Sequence, residues 1–106
     1  MSALLAISAT IYFLTPEEGG RKTPIFSGYR PALYFGEKQT DGAIILTSGD
    51  RAVPGTECEV VIKLFHPEHL GDTLKPMAPF EAKEGTRVIG RGKVLCTHHP
   101  ASKVFR

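Results

Sequence analysis

The segment Gly19-Gly20-Arg21-Lys22-Thr23-Pro24-Ile25-Phe26-Ser27-Gly28-Tyr29-Arg30-Pro31 gathers the side chains best suited to binding. It holds three cations (Arg21, Lys22, Arg30) and two large rings (Phe26, Tyr29) among three glycines and two prolines. Cations beside aromatic rings are favoured at protein interfaces, and cations along a loop also attract a nucleic-acid backbone. Glycine opens backbone conformations closed to other residues, and proline fixes φ and removes a donor. The composition therefore predicts a long, shaped surface loop. It fits two readings, a connector that is basic by accident and a loop that presents its side chains to a partner. Ile25, Phe26 and Tyr29 are the apolar residues expected to be exposed there, or alternatively to pin the loop to the body of the protein.

A second candidate surface comes from the charge distribution. Residues 83–106 carry Lys83, Arg87, Arg91, Lys93, Lys103 and Arg106 against the single acid Glu84, whereas residues 1–82 carry seven cations and ten acids. The net charge of +2 is too small to announce nucleic-acid binding, but the asymmetry gives one edge a pull on an anionic partner. A solvated basic tail at 98–106 is the alternative reading of the same charges. The Glu84-Gly85 turn, Arg87 and Arg91 join Arg21, Lys22, Phe26, Tyr29 and Arg30 as candidate binding residues.

Other chemistry is poorly provided for. There is no glycine-rich phosphate loop followed by Lys-Ser/Thr, so GTP binding and hydrolysis are not expected. No serine or cysteine sits in a nucleophile motif. Cys96-Thr97-His98-His99 offers a thiol and two imidazoles without a fourth partner, and His66-Pro67-Glu68-His69 holds two imidazoles. The expectation is no cofactor, no metal and no enzymatic activity. Two cysteines, Cys58 and Cys96, fit a reduced, cytoplasmic protein. Residues 1–9 are apolar but lack a basic leader region and are too short to span a bilayer, so no membrane role is expected.

The elements that must position these residues read as strands. Cys58, Val60, Ile62 and Leu64 alternate with Glu59, Val61, Lys63 and Phe65, which marks a strand with one buried face. Between Arg87 and Leu95 the same period sets Arg87, Ile89, Arg91 and Lys93 opposite Val88, Gly90, Gly92 and Val94, the glycines pointing to a crowded interior. Further strands are predicted at Thr10–Leu14, Arg30–Phe35, Gly42–Thr47 and Phe80–Lys83. Turns are signalled by Asp41-Gly42, Ser48-Gly49-Asp50, Pro54-Gly55 and Glu84-Gly85. Six short strands with such punctuation imply an antiparallel barrel or sandwich. One domain at 10–97 is expected, with a lead-in at 1–9 and a basic tail at 98–106. The three prolines from His66 to Pro79 predict an extended crossing loop with at most one helical turn.

Ile11-Tyr12-Phe13-Leu14, the glycine-rich loop, Leu33-Tyr34-Phe35, Val53-Pro54-Gly55, Leu64-Phe65-His66-Pro67 and Phe80 through Gly92 occur in the order seen in the third domain of bacterial elongation factor Tu, and from Thr10 to Val94 the chain resembles that domain. The resemblance implies a six-stranded antiparallel β-barrel, without the GTPase domain of the whole factor. It also implies a tRNA-facing surface, since the third domain contacts the T stem of aminoacyl-tRNA through its glycine-arginine loop and its glutamate-glycine turn. The matching positions are Arg21 and Lys22 in the first and Glu84 and Gly85 in the second. The chain departs from the family where Ala32 replaces a glutamine, Gly36 an arginine and Asp41 a threonine. These changes remove an amide and a cation and add an anion, and they weaken any contact with RNA phosphates. The loop from His66 to Pro79 is also longer than its counterpart.

The function expected is thus a freestanding, non-catalytic binding module related to translation, engaging a protein partner or acting as a decoy or immunity-type protein. An RNA-binding accessory factor using Arg21, Lys22, Arg87 and Arg91 is the second reading, and a piece of a split elongation factor the third. GTP and GDP are expected to leave the melting temperature unchanged, because a ligand stabilises only the state it binds. A dose-dependent rise in a thermal-shift titration with either nucleotide would contradict this.

Overall fold

The computed structural model describes residues 5–98. Period-two alternation dominates the result. Eight strands form: β1 (Leu5–Phe13), β2 (Ile25–Phe26), β3 (Ala32–Phe35), β4 (Lys38–Leu46), β5 (Arg51–Ala52), β6 (Glu57–Leu64), β7 (Pro79–Glu84) and β8 (Arg87–His98). Six of them close into an antiparallel barrel in the order β1-β6-β4-β3-β7-β8, and β2 pairs with β5 as a separate ribbon. Closure leaves no open sheet edge on the barrel. The first and last strands meet along most of their length, from Ala6 opposite His98 to Phe13 opposite Gly90.

The barrel fills with the apolar face of every strand. Ile7, Ile11, Leu33, Phe35, Ile44, Val60, Ile62, Leu64, Ile89 and Val94 are all buried, and the Phe35 and Phe80 rings stack with centroids 5.3 Å apart. Gly92 is required by closeness of packing, since a Cβ there would lie 2.3 Å from the Thr10 carbonyl oxygen and 2.6 Å from the Phe80 ring. The loop after β6 contains one short 3₁₀ turn, Gly71–Leu74, and brings Leu70 and Leu74 into the core. Among the described residues no helix is long and apolar enough to cross a membrane.

Several sequence expectations are corrected. Asp41-Gly42 is not a turn but lies inside β4, and the chain reverses at Gly36-Glu37 instead. The glycine at 42 answers a close approach: a Cβ there would stand 2.6 Å from the Lys63 carbonyl oxygen. Ile89 faces inward rather than sharing the outer face with Arg87 and Arg91. A bulge sets Ala82 opposite Gly90 but Lys83 opposite Val88, leaving Ile89 as the extra residue, and this shifts the alternation. Residues 5–9, read as a lead-in, form the first half of β1, while the tail beyond His98 lies outside the described residues.

Ile62 sits at the centre of the inward face of β6, fully buried between Ile7 on β1 and Ile44 on β4. Ile62→Ala is expected to cost about 2–5 kcal/mol in denaturant unfolding, the range of large-to-small core truncations. A loss of only a few tenths would place this side chain outside the core.

Candidate functional site

The loop entering the basic segment is shaped before any charged contact is made. Thr15 caps the 3₁₀ turn Pro16–Glu18: its hydroxyl accepts from the Glu18 amide at 3.2 Å, and the Glu18 carboxylate accepts from the Thr15 amide at 2.9 Å. The same carboxylate accepts the Tyr12 hydroxyl at 2.7 Å, tying the turn to β1. Gly19 then takes a left-handed φ of 95°. Gly20 follows against Leu14, where a Cβ would overlap the Leu14 carbonyl. This double glycine is what delivers Arg21 to the end of the barrel.

There Arg21 meets Glu84 at the end of β7. The guanidinium Nη1 donates to Glu84 Oε2, and the Tyr29 hydroxyl donates to the same oxygen. Arg21 Nη2 also donates to Thr23 Oγ1 at 2.9 Å, and the guanidinium carbon stands 5.2 Å from the Tyr29 ring centre. Burial alone would raise the Glu84 pKa, but the hydrogen bonds from Tyr29 and Arg21 and the nearby charge of Arg87 outweigh it and hold the carboxyl below its usual range. Burial, then the Glu84 carboxylate, push the Tyr29 hydroxyl well above its ordinary value, so it stays a neutral donor. Burial opposes the charge on Arg21, yet Glu84 raises its pKa further. Two residues expected to face a partner are thus satisfied by each other, across 63 positions of sequence.

The remaining candidates are spread over separate places. Arg30 lies over the Phe65 ring at 4.5 Å and reaches Asp41 Oδ2 at 3.4 Å, and Asp41 itself is opposite Ala32 in the β3–β4 register. Arg91 donates from Nε to Glu81 Oε2 at 3.3 Å on the outer wall of the barrel, four positions along β8 from Arg87. Lys22 and Arg87 are exposed and form no ion pair among the described residues. Gly85 makes the β7–β8 turn with a left-handed φ of 63° and open space around it, and Gly36 makes the β3–β4 turn.

The aromatic residues of the loop separate. Ile25 is buried, against expectation, because it faces Ala52 across the β2–β5 ribbon and joins the core. Tyr29 is half-buried, bridging to Ile44. Phe26 points the other way and remains 56% exposed, opposite Arg51. Val53, just beyond β5, is exposed as well. The ribbon was not anticipated from the sequence, since two two-residue strands carry no periodic signal.

Among the described residues no three of His, Cys, Asp and Glu converge. Cys96 Sγ and Ser8 Oγ both approach His98 Nε2, at 3.4 and 2.9 Å, while His69 Nε2 donates to the Gln39 carbonyl at 2.8 Å. Both described cysteines are free.

Fold and site together define a small β-barrel module whose charged contacts lie partly in its loops and partly on the outer wall of its strands. The family model of the elongation factor Tu C-terminal domain matches residues 2–97 of the 106, so the chain belongs to that family and is a translation-factor-like module. That domain is a non-catalytic barrel, and its family generally mediates interactions with other proteins or with tRNA.

The Glu84 cluster has a pH signature. The folded pKa of Glu84 lies below its unfolded value, so its contribution is fully present above the ordinary carboxylate range and is lost as pH falls through the folded value. Glu84→Gln is expected to lower the melting temperature near neutral pH, with the gap to the unaltered protein closing in acid. A gap that stays constant from neutral pH into strong acid would show that the ionised carboxylate contributes nothing.

Proposed function

We propose that this chain is a non-catalytic protein-binding module of cytoplasmic translation, engaging its partner through the exposed end of the 19–31 loop. The observation that carries the reading is Phe26, a ring held out of the core on a loop braced from beneath by Arg21, Tyr29 and Glu84. An exposed aromatic with an exposed cation opposite it, here Arg51, suits the centre of a protein interface. Arg21, Arg30 and Arg91 are each engaged by a carboxylate, which lowers the cationic surface left for phosphates. If the partner is one that otherwise engages the third domain of elongation factor Tu, the module acts as a decoy or immunity-type protein.

Lys22 and Arg87 favour a second reading, contact with an RNA backbone in translation. They are exposed and free of ion pairs among the described residues, and Gly85 turns the chain just before Arg87 with open space where a side chain would stand.

A photoreactive phenylalanine analogue at position 26 separates the two. Crosslinking in native lysate is expected to yield a discrete protein adduct that resists ribonuclease. An adduct removed by ribonuclease would favour the RNA reading. No adduct above that obtained with the same probe at exposed Glu37 would overturn the placement of the interface.

A further inference from the structure

β8 changes face near its end. Val94 is fully buried, so strict alternation would turn Cys96 and His98 into the barrel as well. Both are exposed instead. A bulge is the cause: Ala9 faces Val94 while Ser8 faces Cys96, which leaves Leu95 as the extra residue. Bulges that re-aim a side chain are over-represented next to active sites.

The bulge brings a thiol, an imidazole and a hydroxyl together on the outer wall. Cys96 and His98 stand two apart on β8, and Ser8 lies directly opposite Cys96 on β1. Cys96 Sγ is 3.4 Å from His98 Nε2, and Ser8 Oγ is 2.9 Å from the same nitrogen. The thiol is free. In the sequence the run Cys96-Thr97-His98-His99 lacks a further partner, and the β1–β8 register supplies the Ser8 hydroxyl from the other end of the chain. His99 lies outside the described residues, and the cluster does not depend on it.

The spacing of sulfur and nitrogen is that of two ligands on one tetrahedral ion. Zinc binds thiolate sulfur at about 2.3 Å and imidazole nitrogen at about 2.0–2.1 Å, and at the tetrahedral angle these bonds set the two atoms about 3.6 Å apart. The observed 3.4 Å lets an ion enter between them with little movement of either side chain. Thiolate with imidazole selects zinc and similar ions, whereas magnesium and calcium take oxygen ligands. Exposure of both groups leaves an open path from solvent and room for water on the remaining positions. The other thiol is unsuited, since Cys58 lies half-buried on β6 opposite Ile11.

We propose that this cluster is a binding site for a zinc-class divalent cation, with Cys96 Sγ and His98 Nε2 as ligands, water on the remaining positions and Ser8 Oγ hydrogen-bonded to that water. Binding exchanges the thiol proton for the ion, and the proton leaves to solvent. Titration of the fully reduced chain with cobalt(II), followed by zinc, tests it. The unaltered chain is expected to develop a thiolate-to-cobalt absorption band in the near ultraviolet that saturates at one ion per chain and disappears as zinc displaces the cobalt. Cys96→Ser is expected to lose the band. His98→Gln is expected to weaken binding about tenfold or more, by loss of one of two protein ligands. Cys58→Ala is expected to keep both the band and the affinity. The ion-free Cys96→Ser and His98→Gln variants are expected to melt with the unaltered chain, as exposed positions should. Absence of the band, a band that survives Cys96→Ser, or an affinity indifferent to His98→Gln would overturn the proposal.

Discussion

Everything functional in this chain depends on the closure of the barrel by its first and last strands. β1 and β8 are the most distant strands in sequence, yet they pair along most of their length. The approach is close enough that Gly90 and Gly92 have no room for a side chain: Ile11 crowds the first, and Thr10 and Phe80 the second. Closing the sheet removes its edges and sets the β7–β8 turn next to the segment that leaves β1. That neighbourhood puts Glu84 within reach of Arg21.

The meeting of Arg21, Tyr29 and Glu84 then decides what the loop presents. A long loop rich in glycine loses much conformational freedom on folding, and contacts must offset that loss before its side chains hold one arrangement. One carboxylate oxygen accepting from two donors drawn from the loop supplies such a contact, while the buried Ile25 supplies a second. With the loop held at both points, Phe26 is left on the outside. The brace turns residues that look like ligands into supports, and under the proposed function it leaves the binding role to their neighbours.

How much of this could be read from sequence varied with the range of the interaction. The alternation from Cys58 to Leu64 placed Val60, Ile62 and Leu64 inward correctly, because a strand's faces follow directly from its two-residue period. Gly92 was also legible as a sign of crowding. Ile89 was not, because a bulge depends on the partner strand and leaves no trace in the local pattern. Gly42 misled for a related reason: Asp-Gly signals a turn by conformation, but this glycine is needed for proximity to Lys63. The capping box Thr15-Pro16-Glu17-Glu18 went unread, although it carried a recognisable signature. At the site, Arg21, Tyr29 and Glu84 were all singled out, but Arg21 and Glu84 were taken as partners for another molecule. Nothing local says that two charges 63 positions apart will satisfy one another.

The central claim is that Arg21 and Glu84 serve each other as an internal brace. A double-mutant cycle tests it most directly, using Arg21→Gln, Glu84→Gln and the double variant, with unfolding free energies measured near neutral pH. The account predicts a favourable coupling on the order of 0.5–1 kcal/mol, the scale of a partly exposed ion pair with good geometry. Strict additivity, with the double variant losing the sum of the single losses, would contradict it and return both side chains to the surface as free ligands.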